Sequence, residues 1–158
     1  MITNLGAKRI LSWFTGAATY TGNPLYVGFS KTAPTIAGTG VTEPNNSSYK
    51  RVAINTKSYS NSNGSTVFGS VTDEADGGSV KNSLQITFPE TYDNTEKIVQ
   101  DWGECTHVCL FGSSNGNDLL AFEALITPLH PGNNLVSTIA IIRPGDMTIS
   151  LKNTATTE

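Results

Sequence analysis

The sequence predicts an all-β fold: a single β-sandwich, of jelly-roll or immunoglobulin-like order, with a short N-terminal α-helix. Three observations point there. Charged residues are only 15% of the 158, well below the usual quarter. Thr, Ser and Asn are abundant beside 15 glycines, which suits short strands joined by polar turns. Beyond residue 25, short apolar segments of period two are separated by turn-forming clusters. There is no internal repeat and no linker long enough to split domains. One domain is expected over 1–158, with the helix at 2–14 and the sandwich at 25–151.

The elements follow in order. In "ITNLGAKRILSWF", Thr3 or Asn4 can cap a helix. Ala7, Ile10, Leu11 and Phe14 recur at helical spacing on one face, and Gly16 stands where a helix stops. So short a helix is marginal alone in water and must dock, on its own domain as the usual case. "LYVGF" (25–29) is a compact strand. Residues 31–49 are rich in Pro, Gly and Asn and read as a long loop. "KRVAINT" (50–56) is a strand and "SNSNGS" (60–65) a turn. "VKNSLQITF" (80–88) alternates, with Val80, Asn82, Leu84, Ile86 and Phe88 on one face and Lys81, Ser83, Gln85 and Thr87 on the other. "CTHVCLF" and "LLAFEAL" flank "GSSNGND", a hairpin signal carrying Asn-Gly. "LVSTIAIIR" and "DMTISL" are two further strands.

Composition excludes several partners. The net charge is −3 and the pI about 5.3, so nothing forms a basic surface for nucleic acid. No apolar run approaches the ~18–20 residues of a membrane span. "ILSWF" is too short for a signal-peptide core. The expectation is a chain assembled in a cytoplasm, where thiols stay reduced.

The segment with the most chemistry in it is Cys105-Thr106-His107-Val108-Cys109. Its neighbours argue strand, which puts 105, 107 and 109 on one face. Cys105 and Cys109 are then ~13 Å apart, too far for one zinc ion or a disulfide. Both read as free thiols, with no metal or other cofactor expected. His107 and His130 are the only histidines, and neither sits in a nucleophile or metal motif. Asp73, Glu74 and Asp76 fail the calcium-loop pattern and read as a solvated turn. Asp101, Glu104 and Glu123 are the remaining candidates for paired acids across the hairpin. Trp13, Trp102 and the five tyrosines could stack on sugars, but aromatics in a β domain are more often core. Trp102 reads as a core anchor. No catalytic residue is assigned, and a non-enzymatic role is expected.

Several phrases together carry a resemblance. They are Leu25-Tyr26-Val27-Gly28, Thr32-Ala33-Pro34, Gly40-Val41-Thr42-Glu43-Pro44, Tyr49 and Arg51-Val52-Ala53. Ile86-Thr87-Phe88-Pro89, Trp102-Gly103, Thr106-His107, Leu110-Phe111, Pro144-Gly145-Asp146 and the strand 148–151 complete it. In this order they resemble a family of small bacteriophage virion proteins labelled phage tail fibre protein, with relatives that look like capsid decorations. The match departs at "NTEKIVQD" (94–101), which looks like an insertion, and at the two cysteines. The resemblance implies a virion structural role. The first reading is a capsid decoration, or cement, protein that stabilises the head by contacts with the major capsid protein. It would sit there as a homotrimer, with the helix or the loop 31–49 touching the shell. The alternative is a tail-fibre or receptor-binding component that contacts tail proteins or a host-surface receptor. A carbohydrate-binding or carbohydrate-active virion domain stands third.

Overall fold

A computed structural model describes residues 1–17, 25–54, 67–74 and 77–152. The turn expected at 60–65, the end of the strand expected at 50–56, and Asp76 lie outside the described residues. Within them the chain is all-β with one short N-terminal helix. The helix α1 is Asn4–Phe14. The strands are β1 (Tyr26–Ser30), β2 (Val52–Ala53), β3 (Thr72–Glu74), β4 (Gly77–Lys81), β5 (Ile86–Glu90) and β6 (Tyr92–Asp93). They continue with β7 (Ile98–Val99), β8 (Cys105–Phe111), β9 (Leu119–Leu129), β10 (Ile139–Ile142) and β11 (Thr148–Lys152).

The main sheet has the order β2-β1-β8-β9, all antiparallel. Its β8–β9 arm is the hairpin that the Asn-Gly segment marks. Smaller ladders are β10-β5, β11-β4-β3 and β6-β7. Strand alternation sends Val27 and Phe29 of β1 to one face, where they are fully buried with Ile86 and Phe88 of β5. The Phe29 and Phe88 rings stack at 4.3 Å, joining the main sheet to the β10–β5 pair. The opposite face carries Cys109, Phe111 and Leu119, with Tyr26, Val41 and Phe122 beside them. Val41 belongs to the loop 31–49, so that loop lies over the second face of the sheet.

The expected strand 80–88 is two strands. Facing survives the break: Asn82, Ile86 and Phe88 are buried, while Lys81, Ser83, Gln85 and Thr87 are exposed. The interruption comes from Asn82. Its Oδ1 accepts from the N–H groups of Gly145 (3.1 Å) and Met147 (2.9 Å). Its Nδ2 donates to the carbonyls of Leu84 (3.0 Å) and Arg143 (2.8 Å). All four hydrogen-bonding positions of the amide are used. The side chain thus holds the bend after β4 against the Pro144-Gly145 turn, with both backbones turned toward it.

The helix docks on its own domain, by a face other than its apolar stripe. Thr3 caps it, accepting from the Gly6 N–H at 3.1 Å and donating to Leu119 O at 2.6 Å. The Thr3 N–H reaches Leu120 O at 2.9 Å. Gly6 lies so close to the Leu120 carbonyl that any Cβ there would overlap it. Backbone proximity, permitted by glycine, therefore selects the docking face. Leu11 and Phe14 are left 65% and 86% exposed.

Replacing Asn82 by Ala empties a buried side-chain site and removes its four hydrogen bonds to part-buried backbone groups. It is expected to cost about 3 kcal/mol, read as a lower midpoint in urea unfolding. Asn82→Asp, which loses the two donors, is expected to fare no better.

Candidate functional site

The structure gathers its polar chemistry where the loop 31–49 meets the main sheet. Arg51, just before β2, has a side chain only 5% exposed. Its Nε lies 3.0 and 3.1 Å from the two Glu43 carboxylate oxygens, and its Nη2 donates to Oε2 at 2.6 Å. Nη1 donates to Ser113 O at 3.0 Å and Nη2 to Gly116 O at 2.8 Å. The guanidinium also sits 3.4 Å from the Phe111 ring centroid. One side chain thus ties the end of the loop, the hairpin turn 112–118 and the sheet face together. Asp118 Oδ1, buried without a hydrogen bond among the described residues, lies 3.6 Å from Arg51 Nη1. That spacing is an ion pair, beyond hydrogen-bonding distance.

Tyr49 extends the clasp. Its hydroxyl donates to Glu43 Oε1 at 2.8 Å and accepts from the Phe29 N–H at 2.8 Å. Burial, and then the Glu43 charge, push its ionisation far above the usual tyrosine range. The ring meets Trp102 edge-on at 5.1 Å. Trp102 is buried, 1% exposed, and its Nε1 donates to Ser48 Oγ at 2.8 Å. It is the core anchor expected, facing the loop. The Trp13 side chain, Tyr20 and Tyr59 lie outside the described residues; Tyr26, Tyr49 and Tyr92 are half-buried.

The segment 94–101 is fastened to the same loop. β6 and β7 form a small hairpin whose turn is capped by Asp93, which accepts from the Thr95 (2.7 Å) and Glu96 (3.2 Å) N–H groups. Ser47 Oγ then donates to Asp93, and foremost by that bond the Asp93 carboxyl is held below its usual range. Gln100 Oε1 accepts from the Ser48 N–H at 2.8 Å.

The sequence candidates fall in separate places. Cys105 and Cys109 are free and buried, but in different core clusters. The expectation that both share one face fails: Cys105 packs in the cluster of Phe29 and Trp102, Cys109 in that of Phe111 and Leu119, and the β8–β9 pairing is irregular between Cys105 and His107. Burial raises the Cys105 thiol to about 11 and the Cys109 thiol to about 12. His107 Nδ1 pairs with Thr106 Oγ1 at 2.8 Å. His130 Nε2 lies 2.9 Å from Asp101 Oδ1. The Gly103 N–H, and then His130, hold the Asp101 carboxyl below its usual range. The three acids proposed as a pair are not brought together. Glu123 stands opposite Val108, four residues and so about 13 Å along β8 from Glu104. Asp101 is engaged with His130. Asp73 and Glu74 lie on β3.

A shallow recess of about 360 Å³ opens beside the clasp, lined by Tyr49, Lys50, Ser114 and Asn115 as well as the ion pair. The Glu43 oxygens and the Arg51 nitrogens are already occupied within the protein. The arrangement is chemically a lock on the loop. The Glu43–Arg51 pair was not found by sequence reasoning, although both residues stand inside the phrases that carry the resemblance. No helix among the described residues is long and apolar enough to cross a membrane.

Two outcomes follow. A Cβ at Gly28 would lie 2.7 Å from Tyr49 Oη, 3.0 Å from the Phe111 ring and 3.1 Å from Glu43 Oε1. Gly28→Ala is therefore expected to loosen the clasp, with faster amide exchange across 41–51 as the readout. Both thiol pKa values are raised on folding, so their contribution is whole below the unfolded value near 9. It is lost as pH climbs toward about 11 and 12. At pH 8 the native protein should resist a thiol-specific reagent that labels both cysteines once urea is added; rapid labelling of the native form would refute their burial.

Residues 1–150 match a family model described as podophage GP4 fiber I protein gp80. No curated protein matches the chain.

Proposed function

We propose a tail-fibre role for this chain, which belongs to the podophage GP4 fiber I protein gp80 family. Membership makes it a bacteriophage virion structural protein of fibre type. The finer reading is ours: a non-enzymatic fibre component that contacts other tail proteins and, through its loop surface, a receptor on the host. Self-association, expected from the sequence as a trimer, belongs to this role. The observation that carries it is the family match over 150 residues. That match reverses the order of the two sequence readings, because the matched family is a fibre protein and not a capsid cement.

The physical features support a binding role. Pro34 and Pro44 of the loop 31–49 are buried while Thr32, Thr35, Ile36 and Thr39 are exposed. The loop is internally bonded, Lys31 N–H to Thr42 O at 2.8 Å and Thr35 N–H to Thr39 O at 2.8 Å. A loop already held in one shape loses less conformational freedom on binding. The acids that would serve catalysis are dispersed or engaged.

Gold-labelled antibody against the purified protein, applied to intact particles, tests the location. Label confined to the tail region is expected. Label spread over the head lattice would return the decoration reading.

A further inference from the structure

Open strand edges invite pairing, and proteins normally blunt them. Most edges here are blunted. β2 is two residues long and β3 three, with the exposed Asp73. β11 ends in Lys152. The β9 edge is covered at Leu120–Phe122 by residues 1–3, through the Ile2–Ala121 bridge and its flanking hydrogen bonds. Farther along, the slip between Ala124 and Leu129 carries an exposed Ile126 and Pro128, a bulge and a proline that disrupt pairing.

Among the described residues β10 is the edge with least cover, although its pairing with β5 shifts register between Ile139 and Ile141. Its sequence is Ile-Ala-Ile-Ile, among the described residues it pairs only with β5, and Ile139 and Ile141 are 52% and 41% exposed. Thr138 turns its backbone inward, its C=O accepting from Thr91 N–H and its N–H donating to Thr91 Oγ1. The extra residue at the register shift lies on β5, between Glu90 and Thr87, so β10 keeps its own alternation, which turns the backbone groups of Ile139 and Ile141 outward. Charges are placed unequally along this strip. Glu90, opposite Ile139, is at one end, its Oε1 accepting from Ser137 Oγ at 2.6 Å. Arg143 is at the other end, exposed, and neither is in an ion pair among the described residues.

We propose that the occupant of this edge is β10 of a second copy, paired antiparallel about a two-fold axis through Ala140. In that register Ile139 faces Ile141 of the partner, and the same pair recurs on the other side of the axis. The outward backbone groups of these residues satisfy one another. Ser137 faces the other copy's Arg143, whose guanidinium arrives beside the carboxylate that Ser137 holds. Unlike charges meet at both ends because the strip is charged oppositely at its two ends. Parallel pairing would set like charges together. The contact is isologous, and it does not depend on where in the particle the protein sits.

The test is the mass of the full chain in solution by sedimentation, with circular dichroism to confirm the fold. A dimer, or an even multiple such as the hexamer that trimers joined through this edge would make, is expected. Ile141→Lys should reduce it to half that mass with the β signal unchanged. Arg143→Glu should raise the dissociation constant about tenfold or more, and adding Glu90→Lys should bring it back to within about threefold. A monomer at micromolar concentration, or a trimer that none of these changes alters, overturns the proposal. So does failure of the double exchange to rescue.

Discussion

The ion pair between Arg51 and Glu43 is the constraint on which the rest of the site rests. A guanidinium with little access to water must have its charge answered and its donors used, or it destabilises the fold by several kcal/mol. Here the answer comes from four places in the chain: the carboxylate of Glu43, the carbonyls of the hairpin turn, the face of Phe111 and the charge of Asp118. Satisfying that one group therefore fixes where the loop ends, how the β8–β9 turn lies and which aromatic ring sits beneath. Tyr49 passes the constraint on to Trp102 and the backbone of β1.

This arrangement suits a protein that works by contact. A long loop without regular structure would spend much of its binding energy on becoming ordered. Here that cost is met in folding, by bonds on the inner side of the loop. Its threonines and Ile36 remain on the outer side. The β6–β7 hairpin adds a second rim, secured by Asp93 and Gln100 to Ser47 and Ser48. Fibre membership and a preordered polar surface thus describe the same molecule at different scales.

Much of the fold was legible in the sequence because it is governed by local rules. The Thr3 cap, the alternation from Lys81 to Phe88, the Asn-Gly hairpin and the burial of Trp102 each depend on near neighbours or on size. What escaped was decided by distant partners. The helix docks through Gly6 because a carbonyl of β9 comes close, which no helical periodicity records. The strand 80–88 breaks because Asn82 finds the turn 143–147, more than sixty residues away. Cys105 and Cys109 part company where the pairing of β8 with β9 becomes irregular, a feature that β8's own sequence does not record. Glu43 and Arg51 are only eight residues apart, yet their meeting requires the loop to close on a hairpin turn that lies far along the chain.

The central claim is that one buried ion pair organises the loop, and a double-mutant cycle measures it most directly. Unfolding free energies would be determined for the wild type, Glu43→Ala, Arg51→Ala and the double variant. A coupling energy of about 2 kcal/mol or more, with each single change costing more than the exposed-pair range, is the predicted result. A coupling below about 0.5 kcal/mol, as for an ordinary surface pair, would contradict the account.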